Sequence, residues 1–230
     1  MTNLSNFPHI LQLLVVVSPG WNDTMGVMYR YQRDPATLRW ELYAEPIGVS
    51  LGKKGMAWGR GLKDYSEKNG LVKREGDLRS PAGIFHLGPS FGNQSHQSCA
   101  QRMPFLLIDD SLECVDDPNS AYYNQFVHAS SIDAPDWNSS EKMKEIGSMY
   151  AVGLVVQHNL HPIQPSMGSA IFMHVWSSKG AGTAGCTAMA ECDLREIVSW
   201  LDENQHPCLV QMPLGEYSNR KSEWGLPELP

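Results

Sequence analysis

A histidine and a cysteine lie twelve positions apart in the C-terminal third of the chain. His174 falls in the apolar run Gly168–Trp176, and Cys186 follows it. A free thiol has a pKa near ~8.5 and is only a few per cent ionised at neutral pH, so a nucleophilic cysteine needs a base or a cation beside it. Twelve positions suffice for a strand, a wide turn and a return strand that bring the two side chains together. The pattern predicts a cysteine nucleophile with His174 as its base, and a core cysteine beside a buried histidine is the alternative.

The segment Ser177–Cys186 is rich in glycine and predicts a flexible loop that delivers the cysteine. Gly180, Gly182 and Gly185 lie in it, and Gly185 directly precedes Cys186. Glycine at that position lets the backbone approach a substrate closely. We expect the amides of Gly185 and Cys186 to form an oxyanion hole.

Motifs around this pair extend over most of the chain. They comprise Gly168–His174, Thr183–Met189 and Gly76–Phe85. The first two resemble the catalytic motif of the L,D-transpeptidases with a YkuD-like domain, in a branch with a short loop between histidine and cysteine. The third resembles that family's G-D-x-x-T-P-x-G-x-F segment, with Ser80 at the usual threonine. Further matches, within a resemblance from about Leu13 to Pro213, are Asp117–Asn124, Asp136, Trp137, Tyr150, Asp193 and Trp200.

The resemblance implies acyl transfer on peptidoglycan stem peptides. Cys186 would attack the diaminopimelate carbonyl of a tetrapeptide donor and release D-alanine, with His174 as base and then acid, and an amine acceptor would resolve the thioester into a cross-link. Water as the acceptor would make the protein an L,D-carboxypeptidase or endopeptidase, and a non-catalytic peptidoglycan-binding relative is a third possibility. The implied chemistry uses neither a metal ion nor an organic cofactor, is sensitive to carbapenems, and belongs to the periplasm or cell envelope.

The chain departs from the family pattern beside the cysteine. Ala184 and Thr187 stand where most members have a histidine and an arginine, so contacts with the stem peptide must come from elsewhere. The candidates for these contacts are Arg60, Arg74 and Lys179. The resemblance also implies that a backbone carbonyl near Val175, rather than a carboxylate, orients His174.

Aromatic side chains are candidates for lining a cleft, because they supply rigid contact area to an extended ligand. Arg74 is a candidate partner for a stem carboxylate. For each aromatic residue ordinary packing is an equal alternative. The predicted substrate-binding residues are Trp58, Arg74, Tyr123, Trp137, Trp176 and Thr183.

The elements that must position these residues are mostly strands. Two helices are predicted, Ser139–Gly147 with Ser140 as a cap, and Glu191–Asn204 with one apolar face. The long stretches Gly52–Gly83 and Asn93–Asn138 predict functional loops over one face. The predicted strands are Gln12–Ser18, Gly26–Gln32, Leu38–Tyr43, Ile84–Leu87, Phe105–Ile108, Leu154–Gln157, Ala170–Trp176 and Leu209–Met212. We therefore expect a mainly β fold, a mixed sandwich or barrel-like L,D-transpeptidase domain over 1–213 with a few helices outside, and a peripheral extension over 214–230.

Composition indicates one folded domain whose net charge is unfavourable for binding polyanions. The 230 residues are 42% hydrophobic and 19% charged, and 18 basic against 25 acidic residues give a net charge of −7. This balance disfavours nucleic acid and anionic membranes as partners. The apolar run Ile10–Val17 is too short to span a bilayer, and Met1–Met28 contains no Lys or Arg for a signal peptide. A monomer with no membrane span is expected.

The remaining chemistry-bearing residues have more ordinary interpretations. Cys99, Cys114, Cys192 and Cys208 form up to two disulfides or are plain buried residues. His158 and His161, with His128, suggest metal ligands, but surface loop histidines are the preferred interpretation, and no metal site is predicted. The pair Asp116–Asp117 predicts a turn.

Overall fold

A mixed β-barrel forms the body of the protein. The computed structural model describes residues 3–65, 70–99 and 102–230. The strands in these ranges are β1 (Gln12–Ser18), β2 (Met25–Arg33), β3 (Trp40–Ser50), β4 (Met56–Trp58), β5 (Ser80–Gly92), β6 (Phe105–Leu107), β7 (Leu112–Val115), β8 (Phe126–His128), β9 (Ser140–Lys142), β10 (Val152–Val156), β11 (Phe172–Val175), β12 (Thr187–Met189) and β13 (Cys208–Pro213). The α-helices there are α1 (Glu191–Trp200) and α2 (Leu214–Trp224), and short 3-10 helices span Leu4–Asn6, Gln94–Cys99, Ala129–Ser131, Gly147–Tyr150 and Glu203–Gln205.

Eight of these described strands close the barrel. Their order is β10, β11, β12, β3, β2, β1, β13 and β5, and β5 pairs again with β10. The β1–β13 and β11–β12 pairs are parallel, and the other neighbours in the ring are antiparallel. The strands β4 and β6 pair with β5, and β8, β7 and β9 form a separate three-stranded sheet. The prediction of a mainly β protein is confirmed.

Strand β1 shows why the apolar runs of the sequence become the barrel wall. All seven of its residues are buried, a pattern typical of a strand that is covered on both faces. It pairs with β2 and β13, and helix α2 contacts both β1 and β13. Its first residue, Gln12, is polar, and its side-chain amide has a hydrogen-bond partner because it donates to the Trp200 carbonyl at 3.0 Å.

The predicted helix over Ser139–Gly147 is wrong. Ser140–Lys142 forms β9, which pairs antiparallel with β7, and a 3-10 helix begins only at Gly147. Pairing with β7 buries Met143 and overrides the local preference for helix. The second predicted helix is real but ends earlier, at Trp200, because Leu201 is extended and the chain turns through the 3-10 helix Glu203–Gln205.

The C-terminal segment packs against the barrel rather than lying outside it. Helix α2 buries Tyr217 and Trp224, and Leu226 joins them in the main hydrophobic core. The Tyr217 hydroxyl donates to the Pro227 carbonyl at 2.7 Å. The expectation of a peripheral extension therefore does not describe 214–230, whose aromatic residues are part of the core.

A second, smaller hydrophobic cluster separates the barrel from the three-stranded sheet. It contains Phe91, Phe172, Tyr150, Cys114 and Cys186. The aromatic rings meet at about edge-to-face geometry, with Phe91 and Phe172 centroids 5.1 Å apart. The predicted nucleophile therefore lies where the small sheet covers the barrel wall.

Candidate active site

The parallel pair β11–β12 brings the predicted histidine and cysteine to one face of the barrel. Met173 pairs with Thr187 and His174 with Ala188. Cys186 lies one residue before β12, beside Phe172, and alternate residues of a strand share a face. The chain reaches this arrangement by a crossover loop, not by the return strand that the sequence suggests, because the two strands run in the same direction.

The Cys186 thiol is buried and bound to backbone. It donates to the Ala170 carbonyl at 3.4 Å and accepts from the Phe172 N–H at 3.3 Å, and its residue is 7% exposed. Burial and the Glu141 carboxylate raise the pKa of Cys186 to about 12, against the lowering effects of the Phe172 N–H and of Lys73. In the free protein the thiol is therefore protonated at neutral pH.

His174 is oriented by its own strand. Its Nδ1 lies 2.8 Å from the Val175 carbonyl oxygen, so Nδ1 carries the proton and Nε2 is left as the acceptor. The backbone contact that the resemblance implies is therefore present. Burial lowers the pKa of His174, against the raising effect of the Val175 hydrogen bond, which keeps the ring neutral at pH 7. The Tyr150 ring packs edge-on against it, with centroids 5.4 Å apart.

The thiol and the imidazole share a cavity but not a hydrogen bond. In the described part of the chain, the hydrogen bonds of Cys186 Sγ go to Ala170 and Phe172, and that of the His174 ring goes to Val175. Catalytic hydrogen bonds are often formed only when substrate binds. Proton transfer to His174 Nε2 requires the thiol to turn away from the Ala170 carbonyl.

Two hydroxyl groups hold the backbone at the cysteine. The Cys186 carbonyl accepts from Thr183 Oγ1 at 2.6 Å and from Ser80 Oγ at 2.9 Å. Ser80 also accepts from the Gly52 N–H at 2.9 Å, which ties the loop to a second segment. The Gly185 N–H donates to Thr183 Oγ1 at 3.1 Å. The Gly185 amide is thus occupied, and the predicted pair of oxyanion-binding amides is not free in this structure.

Replacing Thr183 with valine is expected to lower the free energy of unfolding by about 1–3 kcal/mol, because the Gly185 N–H loses its acceptor and the Cys186 carbonyl loses a donor. Thr183→Ser, which keeps the hydroxyl, should lose less than half of that. Chemical denaturation measures both values. Equal losses for the two variants would show that the hydroxyl does not hold this loop.

The loop 73–79 packs against Gly185. The buried Lys73 ammonium donates to Asp77 Oδ1 at 2.6 Å, and Asp77 accepts from the Arg79 N–H at 2.9 Å. A Cβ on Gly185 would lie 3.1 Å from the Arg79 carbonyl oxygen, so only glycine fits there without displacing the loop. The motif Gly76–Phe85 therefore matters because it is packed against the cysteine loop.

The excursion 117–124 positions the segment that leads into β11. The Tyr123 hydroxyl accepts from the Gly168 N–H at 3.1 Å, and the Asn124 side-chain oxygen accepts from the Ala170 N–H at 3.1 Å. Ala170 is the residue whose carbonyl accepts from the thiol. The matching segment Asp117–Asn124 is thus connected to Cys186 through a single residue, Ala170.

Cys186 lies at the junction of two cavities, which share Glu141, Ala184 and Cys186. The histidine-side cavity has a volume of about 350 Å³ and a largely apolar lining that includes Tyr150, His174, Trp176 and Thr183. The charged cavity has a volume of about 220 Å³ and is lined by Lys73, Glu75, Gly76, Leu78, Asp116, Glu141, Ser169, Ala170, Ile171, Ala184, Gly185 and Cys186.

The predicted substrate-binding residues separate into two groups. Trp176 and Thr183 line the histidine-side cavity. The other four are not among the residues that line either cavity, and Trp58 is buried in the main core beside Tyr65. Their surroundings differ: Arg74 is exposed beside Met167, Tyr123 is buried against Glu75, and Trp137 contacts Tyr122 and Glu113.

The stem-contact candidates Arg60 and Lys179 also lie away from these cavities. Arg60 is buried and pairs with Asp64, and Lys179 is exposed. Neither residue is among those that line the histidine-side or charged cavity.

His158 and Asp117 have structural roles. His158 is not a surface residue as predicted: it is buried against Phe85, and burial lowers its pKa to about 3. Asp117 forms the predicted turn by accepting from the Asn119 N–H at 2.9 Å. Among the described residues, no group of three His, Cys, Asp or Glu side chains is placed to hold a metal ion, and no helix is long and apolar enough to cross a membrane.

The cysteines whose side chains are described are unbonded, namely Cys114, Cys186, Cys192 and Cys208. The Cys99 side chain lies outside the described set. A second cysteine–histidine contact occurs elsewhere, with Cys208 Sγ 3.3 Å from His86 Nδ1. Cys208 is 0% exposed, and burial raises its pKa far above the usual value. It lines neither cavity, so the site around Cys186 is the stronger candidate.

Several residues at the site were missed by reasoning from sequence. Glu141 falls in the predicted helix Ser139–Gly147, Asp116 falls in a predicted turn, and Lys73 and Glu75 fall in the long loop Gly52–Gly83, where nothing in the sequence distinguishes them. Only Ser80 carried a signal, as the residue at the threonine of a matching motif. The others meet only because β9 and the loop 73–79 fold against the cysteine loop.

Comparison of the chain with protein-family models, curated proteins and solved structures finds no match. The assignment of a function therefore depends on the geometry around Cys186 and on the sequence motifs.

Proposed function

We propose that this protein is a cysteine-dependent L,D-transpeptidase that acts on peptidoglycan stem peptides in the periplasm or cell envelope. The observation that carries the proposal is the position of Cys186, on the same barrel face as His174 and at the junction of two cavities. A nucleophile between two cavities has room for an acyl donor on one side and an acceptor on the other. The motif resemblance supplies the substrate class.

In the proposed reaction Cys186 Sγ attacks the diaminopimelate carbonyl carbon of a tetrapeptide donor. The thiol proton passes to His174 Nε2, the unprotonated nitrogen, and then to the leaving amine of D-alanine as the C–N bond breaks. An acceptor amine attacks the thioester, gives up its proton to His174, and releases the thiol. The buried, neutral imidazole suits both transfers.

Mass spectrometry of a disaccharide-tetrapeptide incubated with the protein tests this proposal. Cross-linked dimers that have lost one D-alanine, absent with Cys186→Ala, are the expected result. Tripeptide monomers alone would mean that water is the acceptor and that the protein is an L,D-carboxypeptidase. Unchanged substrate, together with no carbapenem adduct on Cys186, would contradict catalysis and favour a peptidoglycan-binding role.

The non-catalytic alternative has one observation in its favour. The thiol is protonated, bound to the Ala170 carbonyl, and not hydrogen-bonded to His174 in the described structure. A carbapenem separates the two possibilities, because its acylation of Cys186 requires the thiol to turn and react without requiring the correct peptide donor.

A further inference from the structure

Lys73 is a buried cation beside the proposed nucleophile, and the reaction steps described above give it no role. The residue is 2% exposed, and its ammonium donates to Asp77 Oδ1 at 2.6 Å and to the Arg74 carbonyl at 2.7 Å. The ion pair with Asp77 keeps the lysine charged although it is buried. An ammonium has three N–H donors, and the hydrogen bonds of the described chain use two of them.

The lysine side chain lies against the backbone that carries the cysteine. A Cβ on Gly185 would lie 3.7 Å from Lys73 Cε, and a Cβ on Gly168 would lie 3.2 Å from the same atom. The Lys73 N–H donates to the Trp58 carbonyl at 2.8 Å, which fixes the start of the side chain. Cε, the atom that carries the ammonium, is therefore held close to both glycines, one of which directly precedes Cys186.

The ion pair between Lys73 and Asp77 has its positive partner on the side of the thiol. Lys73 and Cys186 line the charged cavity together, whereas Asp77 is not among the residues that line it. Among the described residues in that lining, Lys73 is the one with a basic side chain. A cation near a thiol favours the thiolate, and burial strengthens this effect because little water screens the charge.

The pKa values of the neighbouring groups agree with this geometry. Burial and the Glu141 carboxylate raise the pKa of Cys186, whereas the Phe172 N–H and the Lys73 ammonium lower it. Burial also raises the pKa of Glu141, which favours its uncharged form and weakens its opposition to a thiolate. Burial lowers the pKa of His174, so the neutral imidazole supplies no positive charge before it takes the thiol proton.

We propose that Lys73 is the cation that stabilises the Cys186 thiolate as the thiol gives up its proton. The inference rests on the proposed acyl transfer, and it adds a charged residue that the cysteine–histidine pair does not supply. The proton passes from Cys186 to His174, and Lys73 keeps its own protons throughout. The lysine thus acts by its charge and not as an acid or a base.

Alkylation by iodoacetamide measures the thiolate without any peptide substrate. The thiolate sulfur attacks the methylene carbon of the reagent, a C–S bond forms and iodide leaves. Because the reagent is uncharged, a change in rate reports on the thiol and not on attraction of the reagent. The rate at Cys186 is measured by mass spectrometry at one fixed pH, relative to the exposed Cys192 in the same molecule.

Two substitutions with opposite expected effects separate a role of charge from a role in structure. Lys73→Met, which keeps the length of the side chain, should slow alkylation of Cys186 by at least about fivefold. Asp77→Asn removes the opposing negative charge, while its side-chain oxygen can still accept from Lys73 and from the Arg79 N–H. This variant should be alkylated at least about twofold faster than the wild type. An ion pair that only holds the loop 73–79 would instead make both variants slower.

Lys53→Met is the matched control, because Lys53 is an exposed lysine that lines the histidine-side cavity with Cys186. Water and salt screen its charge, so the rate should stay within about twofold of the wild type. The midpoint of thermal unfolding shows which variants are folded. If Lys73→Met does not fold, Asp77→Asn decides alone.

An unchanged or slower rate in folded Asp77→Asn would overturn the inference, and so would an undiminished rate in folded Lys73→Met. Acyl transfer by a protein whose alkylation is insensitive to both substitutions would leave the proposed function standing and refute this inference. The expected pair of rate changes, with no acylation by tetrapeptide or carbapenem, would refute the proposed function and leave the stabilised thiolate standing.

Discussion

Cys186→Ala is expected to lower the rate of acyl transfer by a factor on the order of 10⁴ or more, because the proposed nucleophile is lost. No other described thiol can replace it. Cys114, Cys192 and Cys208 line neither of the two cavities that contain Cys186. The remaining activity of the variant should equal the rate without protein.

Cys208→Ala is the matched control, because Cys208 is also a buried cysteine and contacts a histidine, His86. It should keep acyl transfer within about twofold of the wild type, since Cys208 lines neither of the cavities that contain Cys186. Both variants are compared by turnover of tetrapeptide and by the mass of the carbapenem adduct. Loss of activity in Cys208→Ala, with Cys186→Ala still active, would move the site to the other pair.

The strands that the sequence predicts well are those whose apolar runs are buried on both faces. Gln12–Ser18 is predicted with its observed bounds, because a continuous run of Leu and Val needs no knowledge of partners. The sequence predicts strands at Ile84–Leu87 and Leu38–Tyr43, but the observed strands β5 and β3 extend further, because they continue through glycine, proline and charged residues. Pairing with neighbouring strands extends them, and a local pattern does not contain that information.

Sequence predicts that His174 and Cys186 lie near each other, and both do line one cavity, but it does not predict their geometry. The alternation of residues along a strand does not specify whether neighbouring strands run parallel. The parallel β11–β12 register is what makes Phe172 and Ala170, and not His174, the partners of the thiol. Glu141 escapes prediction because its role depends on β9 joining β7, and β9 lies outside the motifs Gly168–His174 and Thr183–Met189.

His174→Gln is expected to reduce kcat/KM for acyl transfer by about 10²–10⁴-fold, because glutamine cannot accept and return a proton. The amide can still donate to the Val175 carbonyl, so the side-chain position and the fold should be retained. The midpoint of thermal unfolding of His174→Gln, compared with that of the wild type, checks the fold. A destabilised variant would have a lower midpoint, whereas a variant that has lost only the catalytic base would not.

The pH profile distinguishes a base from a merely structural residue. Burial lowers the pKa of His174 below its ordinary value of 6.5, so the neutral ring persists at neutral pH and becomes protonated only at lower pH. The wild-type rate should therefore fall on an acid limb whose midpoint lies below 6.5. In His174→Gln that limb should disappear. An unchanged acid limb in the variant would assign the titration to another group and would remove His174 from the role of base.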